Sequence, residues 1–169
     1  MEPIVNRVAQ SGIQVLDLAE VLGDPAVAVV DLVPFLYGGM ILREKHFRDE
    51  VAAHDWHAYA GKHVGIVCTE DTIIPTWAYM LIASRLEGVA ASVTVGNEVA
   101  VRREHTQRAL ARYDWSRHED AIVVVKGCGT GSVPDSAFVQ AMNRLQGMAR
   151  KIMFGEPCSS VPLWRRPKS

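Results

Sequence analysis

The sequence predicts an α/β fold, a three-layer sandwich around a mostly parallel sheet, with N-terminal strands added at one edge. Short apolar runs alternate with stretches of helical spacing from residue 61 onward, and this alternation is typical of βα repeats. Proline and a capping side chain stand together at two expected helix starts, Pro75-Thr76 and Pro134-Asp135. Helices of about three turns between short strands indicate right-handed crossovers, so both faces of the sheet should be covered.

The N-terminal part supplies two strands and one helix. Ile13–Leu18 alternates apolar and polar side chains, and Ala26–Val33 is a continuous valine-rich run after the turn residues Gly23-Asp24-Pro25. Leu42–His54 carries apolar side chains at helical spacing among charged ones, which predicts an amphipathic helix. We expect residues 1–60 to add strands to one edge of the sheet or to pack across it.

The rest of the chain is regular up to its basic end. The expected strands are His63–Val67, Ala91–Val95, Ala121–Lys126 and Lys151–Phe154. The expected helices between them are Thr76–Leu86, Val101–Tyr113 and Asp135–Gln146. No internal repeat beyond the βα unit and no long linker is evident, so residues 1–169 are predicted to form one domain. It would comprise an edge segment over residues 1–60, a βα core over 61–163 and a basic, solvated tail over 164–169.

Composition excludes several classes of partner. The 18 basic and 19 acidic side chains leave a net charge of -1, so no global field favours nucleic acid or an anionic membrane. The start, Met1-Glu2-Pro3-Ile4, lacks the features of a signal peptide, and no apolar run reaches the roughly 20 residues that span a bilayer. We therefore expect a cytoplasmic protein. Three cysteines without a C-x-x-C pair then predict buried thiols, metal ligands or reactive thiols rather than disulfides.

Each cysteine lies shortly after the end of an expected strand. Cys68 follows His63–Val67, Cys128 follows Ala121–Lys126, and Cys158 follows Lys151–Phe154. The carboxyl ends of parallel strands share one edge of a sheet, where ligands bind, so the three thiols are predicted to meet in one crevice. Thiolates select zinc, iron and iron–sulfur clusters, and this crevice is the predicted metal site.

A fourth ligand has three candidates in the sequence. Glu70 and Asp71 leave the sheet with Cys68, just before a helix N-terminus that would stabilise a thiolate or an anion. His54 stands at the end of a predicted helix and is the third candidate. Each residue also has a structural interpretation: Cys68 as a buried thiol, Glu70 and Asp71 as helix caps, and His54 as a hydrogen-bonded core residue.

The glycine-rich segment Lys126–Pro134 allows anion binding by backbone N–H groups. Its spacing, Gly127-x-Gly129-x-Gly131, fits neither the dinucleotide motif G-x-G-x-x-G nor a Walker motif. A turn that requires positive φ angles explains the glycines equally well. We therefore expect no nucleotide cofactor.

Several motifs together resemble an uncharacterised family of Bacteroidetes proteins, domain-of-unknown-function family 2480. The residues that carry the resemblance are Ile4–Val8, Ser11-Gly12, His54-Asp55-Trp56, Cys68, Ile74–Met80, Val125–Cys128 and Met153–Leu163. The resemblance covers nearly the whole chain and brings no assigned activity. Through the genes that neighbour such proteins, it implies iron–sulfur assembly proteins of the sulfur-mobilisation system as partners.

Three functions are consistent with this sequence. The first is an accessory protein of metal or iron–sulfur handling, in which Cys68, Cys128 and Cys158 bind zinc, iron or a cluster. The second is a thiol enzyme that transfers sulfur or acyl groups, which requires one exposed thiol of depressed pKa. The third is a non-catalytic scaffold with structural cysteines, in which aromatic side chains such as Trp56 and Trp164 form partner or homodimer contacts.

Overall fold

The computed structural model describes residues 12–127 and 133–167, which form seven strands and five α-helices. The strands are β1 (Ile13–Asp17), β2 (Val27–Asp31), β3 (His63–Val67), β4 (Ser92–Val95), β5 (Ile122–Lys126), β6 (Lys151–Glu156) and β7 (Ser159–Arg165). The helices are α1 (Leu18–Leu22), α2 (Glu44–Ala53), α3 (Thr76–Leu86), α4 (Glu98–Arg112) and α5 (Asp135–Gln146). Short 3-10 helices cover Val33–Phe35, Trp56–Tyr59 and Trp115–His118.

The predicted α/β class and the mostly parallel pairing are confirmed. Every strand pair is parallel except that of β6 with β7. The strands divide between two sheets, however: one has four strands in the order β1-β5-β6-β7, and the other has three in the order β2-β3-β4. The expectation that all βα units feed a single sheet is therefore wrong, because strand partners are chosen by long-range packing that local periodicity does not encode.

The chain forms two compact units. The central unit is Pro25–His105 and contains β2, β3, β4 and the helices between them. The terminal unit comprises residues 1–24 and 106–169, so the central unit is inserted between its first helix and the rest of it. Helix α4 begins in the central unit and ends in the terminal unit.

Each unit has its own hydrophobic core. In the central unit the buried apolar residues are Val30, Leu32, Phe35, Leu36, Phe47, Val51, Val64, Ile66, Ala78, Ile82 and Leu86. In the terminal unit they are Leu16, Leu18, Leu22, Leu110, Trp115, Ala121, Val123, Val125, Ala137, Ala141, Leu145, Ala149 and Ile152. Both sets combine strand residues with one stripe of the helix after the second strand, so each unit excludes water from its own core.

The two units repeat the same plan. Strand β3 and helix α3 of the central unit correspond to β5 and α5 of the terminal unit at a constant offset of 59 positions. Identical residues at this offset include Asp55 and Asp114, Trp56 and Trp115, Pro75 and Pro134, Ala78 and Ala137, Leu86 and Leu145, Gly88 and Gly147, and Gly96 and Gly155. The preceding strands correspond as well, since β2 pairs with β3 in the register in which β1 pairs with β5.

An Asp-Trp pair closes the helix before the second strand in both units. Trp56 Nε1–H donates to the carbonyl of Val51 at 2.9 Å, and Trp115 Nε1–H donates to that of Leu110 at 2.9 Å. Each indole thus satisfies a carbonyl in the last turn of a helix, where no intrahelical donor is available. The aspartate before each tryptophan accepts a backbone N–H two residues on and begins a 3-10 turn.

Two expectations from the sequence need correction here. The repeat is longer than one βα unit, and local periodicity does not reveal it because the central unit separates β1 and α1 from the rest of the terminal unit. The expected basic tail is also wrong at its start, because Trp164 and Arg165 belong to β7 and Trp164 packs against the terminal core. Pro162 lies in that strand, which is tolerated because β7 is an edge strand.

Candidate functional site

Cys68 lies directly after β3 in the central unit, as predicted. Its half-buried side chain packs against the central core, and its S–H donates to the carbonyl of Glu70 at 3.4 Å. A thiol in this position behaves as a small apolar side chain with a weak hydrogen bond. These contacts fit the structural interpretation of Cys68, and the thiol keeps partial access to solvent.

Asp31 fixes the loop that contains Cys68. Its carboxylate accepts hydrogen bonds from the N–H of Val33 and from both the N–H and the hydroxyl of Thr69. Burial raises the pKa of Asp31, but the hydrogen bonds from Thr69 and from the backbone amides outweigh burial and leave that pKa below its ordinary value. The ionised carboxylate therefore ties the end of β2 to the start of the loop after β3.

The three candidates for a fourth ligand lie in different surroundings. Glu70 and Asp71 are exposed in the loop after Cys68. His54 lies in an aromatic cluster of the central unit, with ring centroids 5.2 Å from Phe35 and 4.6 Å from Trp56. Its Nε2 atom is buried and has no hydrogen-bond partner among the residues that the structure describes. His54 is thus packed as a core residue, but one of its ring nitrogens is unsatisfied.

Of the other two cysteines, Cys158 belongs to the terminal unit. Cys158 is exposed in the turn between β6 and β7, and Cys128 lies outside the described residues. Cys68 therefore follows a strand of one sheet, whereas Cys158 follows a strand of the other. Within residues 12–127 and 133–167, no three His, Cys, Asp or Glu side chains are grouped so as to hold a metal ion. The described strands before Cys68 and Cys158 thus do not belong to the single sheet that the three-thiol prediction assumed.

An open apolar groove lies beside β4 in the central unit. Its volume is about 260 Å³, and it runs between helix α3 and the sheet. Its lining residues are Ile66, Thr76, Tyr79, Met80, Ala83, Val93, Thr94 and Val95. Met80 and Val95 are 67% and 64% exposed, which is unusual for large apolar side chains that lie next to each other in one groove. The hydroxyl of Thr94 is buried without a hydrogen-bond partner among the described residues.

Three groove positions carry larger side chains in the terminal unit. At the offset of 59 positions, Ala83 corresponds to Met142, Thr94 to Met153 and Val95 to Phe154. Phe154 makes an edge contact with Phe138, with ring centroids 5.6 Å apart. At these three positions the terminal unit thus carries a larger side chain than the central unit does.

The strand edge beside the groove differs between the units too. In the terminal unit β6 pairs on one side with β5 and on the other with the antiparallel strand β7, where Trp164 stands opposite Ile152. In the central unit β4, the counterpart of β6, pairs with β3 alone among the described residues. Val93, the counterpart of Ile152, lines the open groove. Among the described residues, no strand of the central unit takes the position that the antiparallel strand and its tryptophan occupy in the terminal unit.

The fold and this groove define a two-unit α/β protein with a repeated βα plan and an exposed apolar site at a sheet edge. The chain belongs to the family described as Protein of unknown function (DUF2480), which it matches over residues 2–166. Comparison with curated proteins and with solved structures finds no match. In the part of the chain that the structure describes, no helix is long and apolar enough to cross a membrane.

Sequence reasoning missed the groove, although a signal for it was present. The Asp-Trp pairs at Asp55 and Asp114 and the helix-start prolines Pro75 and Pro134 reveal the offset of 59 positions. Alignment at that offset shows where large side chains of one unit are replaced by small ones in the other. The groove is one such place, and the strand that covers its counterpart follows directly after the repeat ends.

Proposed function

We propose that this protein is a non-catalytic interaction module, whose central unit binds an extended segment of a partner protein along β4. The observation that carries the proposal is the difference between the two units: β6 has an antiparallel partner strand, and its counterpart β4 has none among the described residues. A sheet edge with unpaired backbone groups is a ready template for strand addition.

The chemistry of the groove supports an apolar strand as the occupant. Exposed Met80 and Val95 would lose contact with water when covered, and apolar burial contributes about 25 cal/mol per Å². Backbone pairing supplies affinity, and the groove selects the side chain that stands opposite Val93. A cytoplasmic location is part of this proposal, since the chain carries unpaired thiols.

The strand β7 provides the probe for a first test. A fluorescein-labelled peptide with the sequence of residues 159–166 is titrated with the whole protein, and its anisotropy is measured. Val95→Glu places a charge in the groove and should weaken binding at least tenfold. Val99→Glu is the matched control, because Val99 is 73% exposed and does not line the groove.

Two outcomes would overturn the proposal. One is an absence of binding at about 1 mM protein, the weak limit of specific recognition. The other is an equal loss of binding in the Val95→Glu and Val99→Glu variants. Sedimentation at several concentrations tests the homodimer contacts of the scaffold hypothesis. A dimer that dissociates on Val95→Glu would make a second copy of this chain, not a foreign strand, the occupant of the edge.

The predicted metal or iron–sulfur site is a second proposal, favoured by two free thiols that reach solvent. Cys158 is exposed and Cys68 half-buried, so each is available to a metal ion shared with iron–sulfur assembly proteins as partners. Metal and acid-labile sulfide are measured in protein purified without oxygen. Stoichiometric metal that is lost in Cys68→Ser or Cys158→Ser would support the site. Metal-free protein that takes up neither zinc nor iron would refute it.

A further inference from the structure

The terminal unit contains a second open space, a cleft of about 490 Å³ between the edge strand β1 and the end of α4. Val21 and Ala109 form part of its apolar wall, and the ring of Tyr113 lines it. Arg112, Arg117 and Glu20 supply charged groups. Concave sites of this volume with a few convergent polar groups are where small molecules bind.

The central unit shows what fits in this space. Strands β1 and β2 correspond at an offset of 14 positions, because Asp17 and Asp31 end their strands and accept the N–H two residues on in the same way. The pattern of burial agrees, since Leu18 and Leu32 are both fully buried at this offset. Val21 therefore occupies the position of Phe35.

In the central unit Phe35 is buried in an aromatic environment. Its ring stacks on Trp56 with centroids 6.0 Å apart and planes within 10°, and it meets the edge of His54 at 5.2 Å. The terminal unit keeps this environment. Tyr113 corresponds to His54 and Trp115 to Trp56, and the rings of Tyr113 and Trp115 have centroids 4.9 Å apart. It lacks the phenyl ring, because valine is shorter, and both Val21 and Tyr113 line the cleft.

The charges around the cleft favour an anion. Asp17 is neutralised by Lys126, whose Nζ lies 3.2 Å from its carboxylate. Burial lowers the pKa of His118 beside Tyr113, with the charge of Arg117 acting in the same direction, so His118 is neutral at pH 7. Arg112 and Arg117 then outnumber Glu20 among the remaining charges that line the cleft.

We infer that this cleft binds a small planar aromatic molecule that carries a carboxylate or phosphate group. Its ring takes the place that Phe35 fills in the central unit, next to Tyr113 and Val21. Its anionic group is held by Arg112 and Arg117, which bind carboxylates and phosphates through paired N–H groups. Such a ligand is distinct from the protein segment proposed for the central unit.

Indole-3-acetate is the probe, and indole and acetate separate the contributions of ring and charge. Binding to the whole protein is followed by the NMR shifts of the amides of Tyr113 and Arg117. We expect a Kd on the order of 1 mM or tighter for indole-3-acetate, and weaker binding of both fragments. Adenosine monophosphate, a planar ring with a phosphate, tests the second kind of anionic group.

Three variants decide whether the cleft is responsible. Val21→Phe restores the ring of the central unit and should abolish binding, whereas Val139→Phe at a 60% exposed position should leave it unchanged. Arg117→Gln keeps the apolar wall intact. It should weaken the binding of the two anions roughly tenfold and leave the binding of indole unchanged. The inference is refuted if neither anion shifts these amides at about 10 mM, or if Val139→Phe weakens binding as much as Val21→Phe does.

Discussion

Replacing Trp115 by phenylalanine tests how much the hydrogen bond from the indole to the end of the preceding helix stabilises the protein. The substitution removes the indole N–H, whose Nε1 lies 2.9 Å from the carbonyl oxygen of Leu110. Trp115 is 8% exposed and belongs to the terminal core. The carbonyl would lose its donor in a place that water reaches poorly, which costs about 1–3 kcal/mol. The smaller ring leaves a cavity that costs roughly 1 kcal/mol more.

The expected loss in the free energy of unfolding is therefore about 2–4 kcal/mol. For a chain of 169 residues this corresponds to a fall in Tm of roughly 5–15 °C. The matched variant is Trp56→Phe in the central unit, where the indole donates to Val51 in the same geometry but is half-buried. Water can replace its donor there, so we expect a loss nearer to 1 kcal/mol.

The assay is urea unfolding followed by circular dichroism, with midpoints compared at a constant m-value. The reasoning predicts that Trp115→Phe lowers the midpoint clearly more than Trp56→Phe does. Equal effects, or a larger effect of Trp56→Phe, would refute this expectation. Burial of the accepting carbonyl would then not determine the loss of stability.

Two further predictions follow from single side chains. Burial lowers the folded-state pKa of His118 below 6.5, so the unfolded chain takes up a proton first as the pH falls; stability should be complete above about pH 6.5 and decline below it. His118→Gln should flatten this decline in urea midpoints measured from pH 7.5 to 5.5, and an unchanged slope would contradict the assignment. Exposed Cys158 should react with iodoacetamide faster than Cys68, which packs against the core, as mass spectrometry of partly labelled protein would show; faster labelling of Cys68 would instead favour a reactive thiol there.

Most individual elements could be predicted from the sequence. The strand His63–Val67 and the helices Thr76–Leu86 and Asp135–Gln146 have the bounds that periodicity and the helix-start prolines indicate. Strand β7 was missed because Ser159, Ser160 and Pro162 break the apolar alternation, and its register depends on pairing with β6. Local patterns identify an element when its own side chains determine it, and they fail when a neighbouring strand does.

The candidate sites depended on information that local patterns do not contain. The three-thiol hypothesis assumed one sheet, and the division of the strands between two sheets removed its basis for Cys68 and Cys158. The groove and the cleft both arise where one unit carries a smaller side chain than the other. Ala83 against Met142 and Val21 against Phe35 are the two decisive replacements. Such differences become informative only once the repeat is known.

Amide hydrogen exchange at β4, with and without the peptide of residues 159–166, tests the central claim most directly. We expect the amides of Ser92–Val95 to become protected when the peptide binds, while those of β6 keep the protection that β7 already gives them. Unchanged exchange at Ser92–Val95 under saturating peptide would contradict the claim. Increased exchange in β6 would contradict it as well, because the peptide would then be displacing β7 rather than pairing with the open edge.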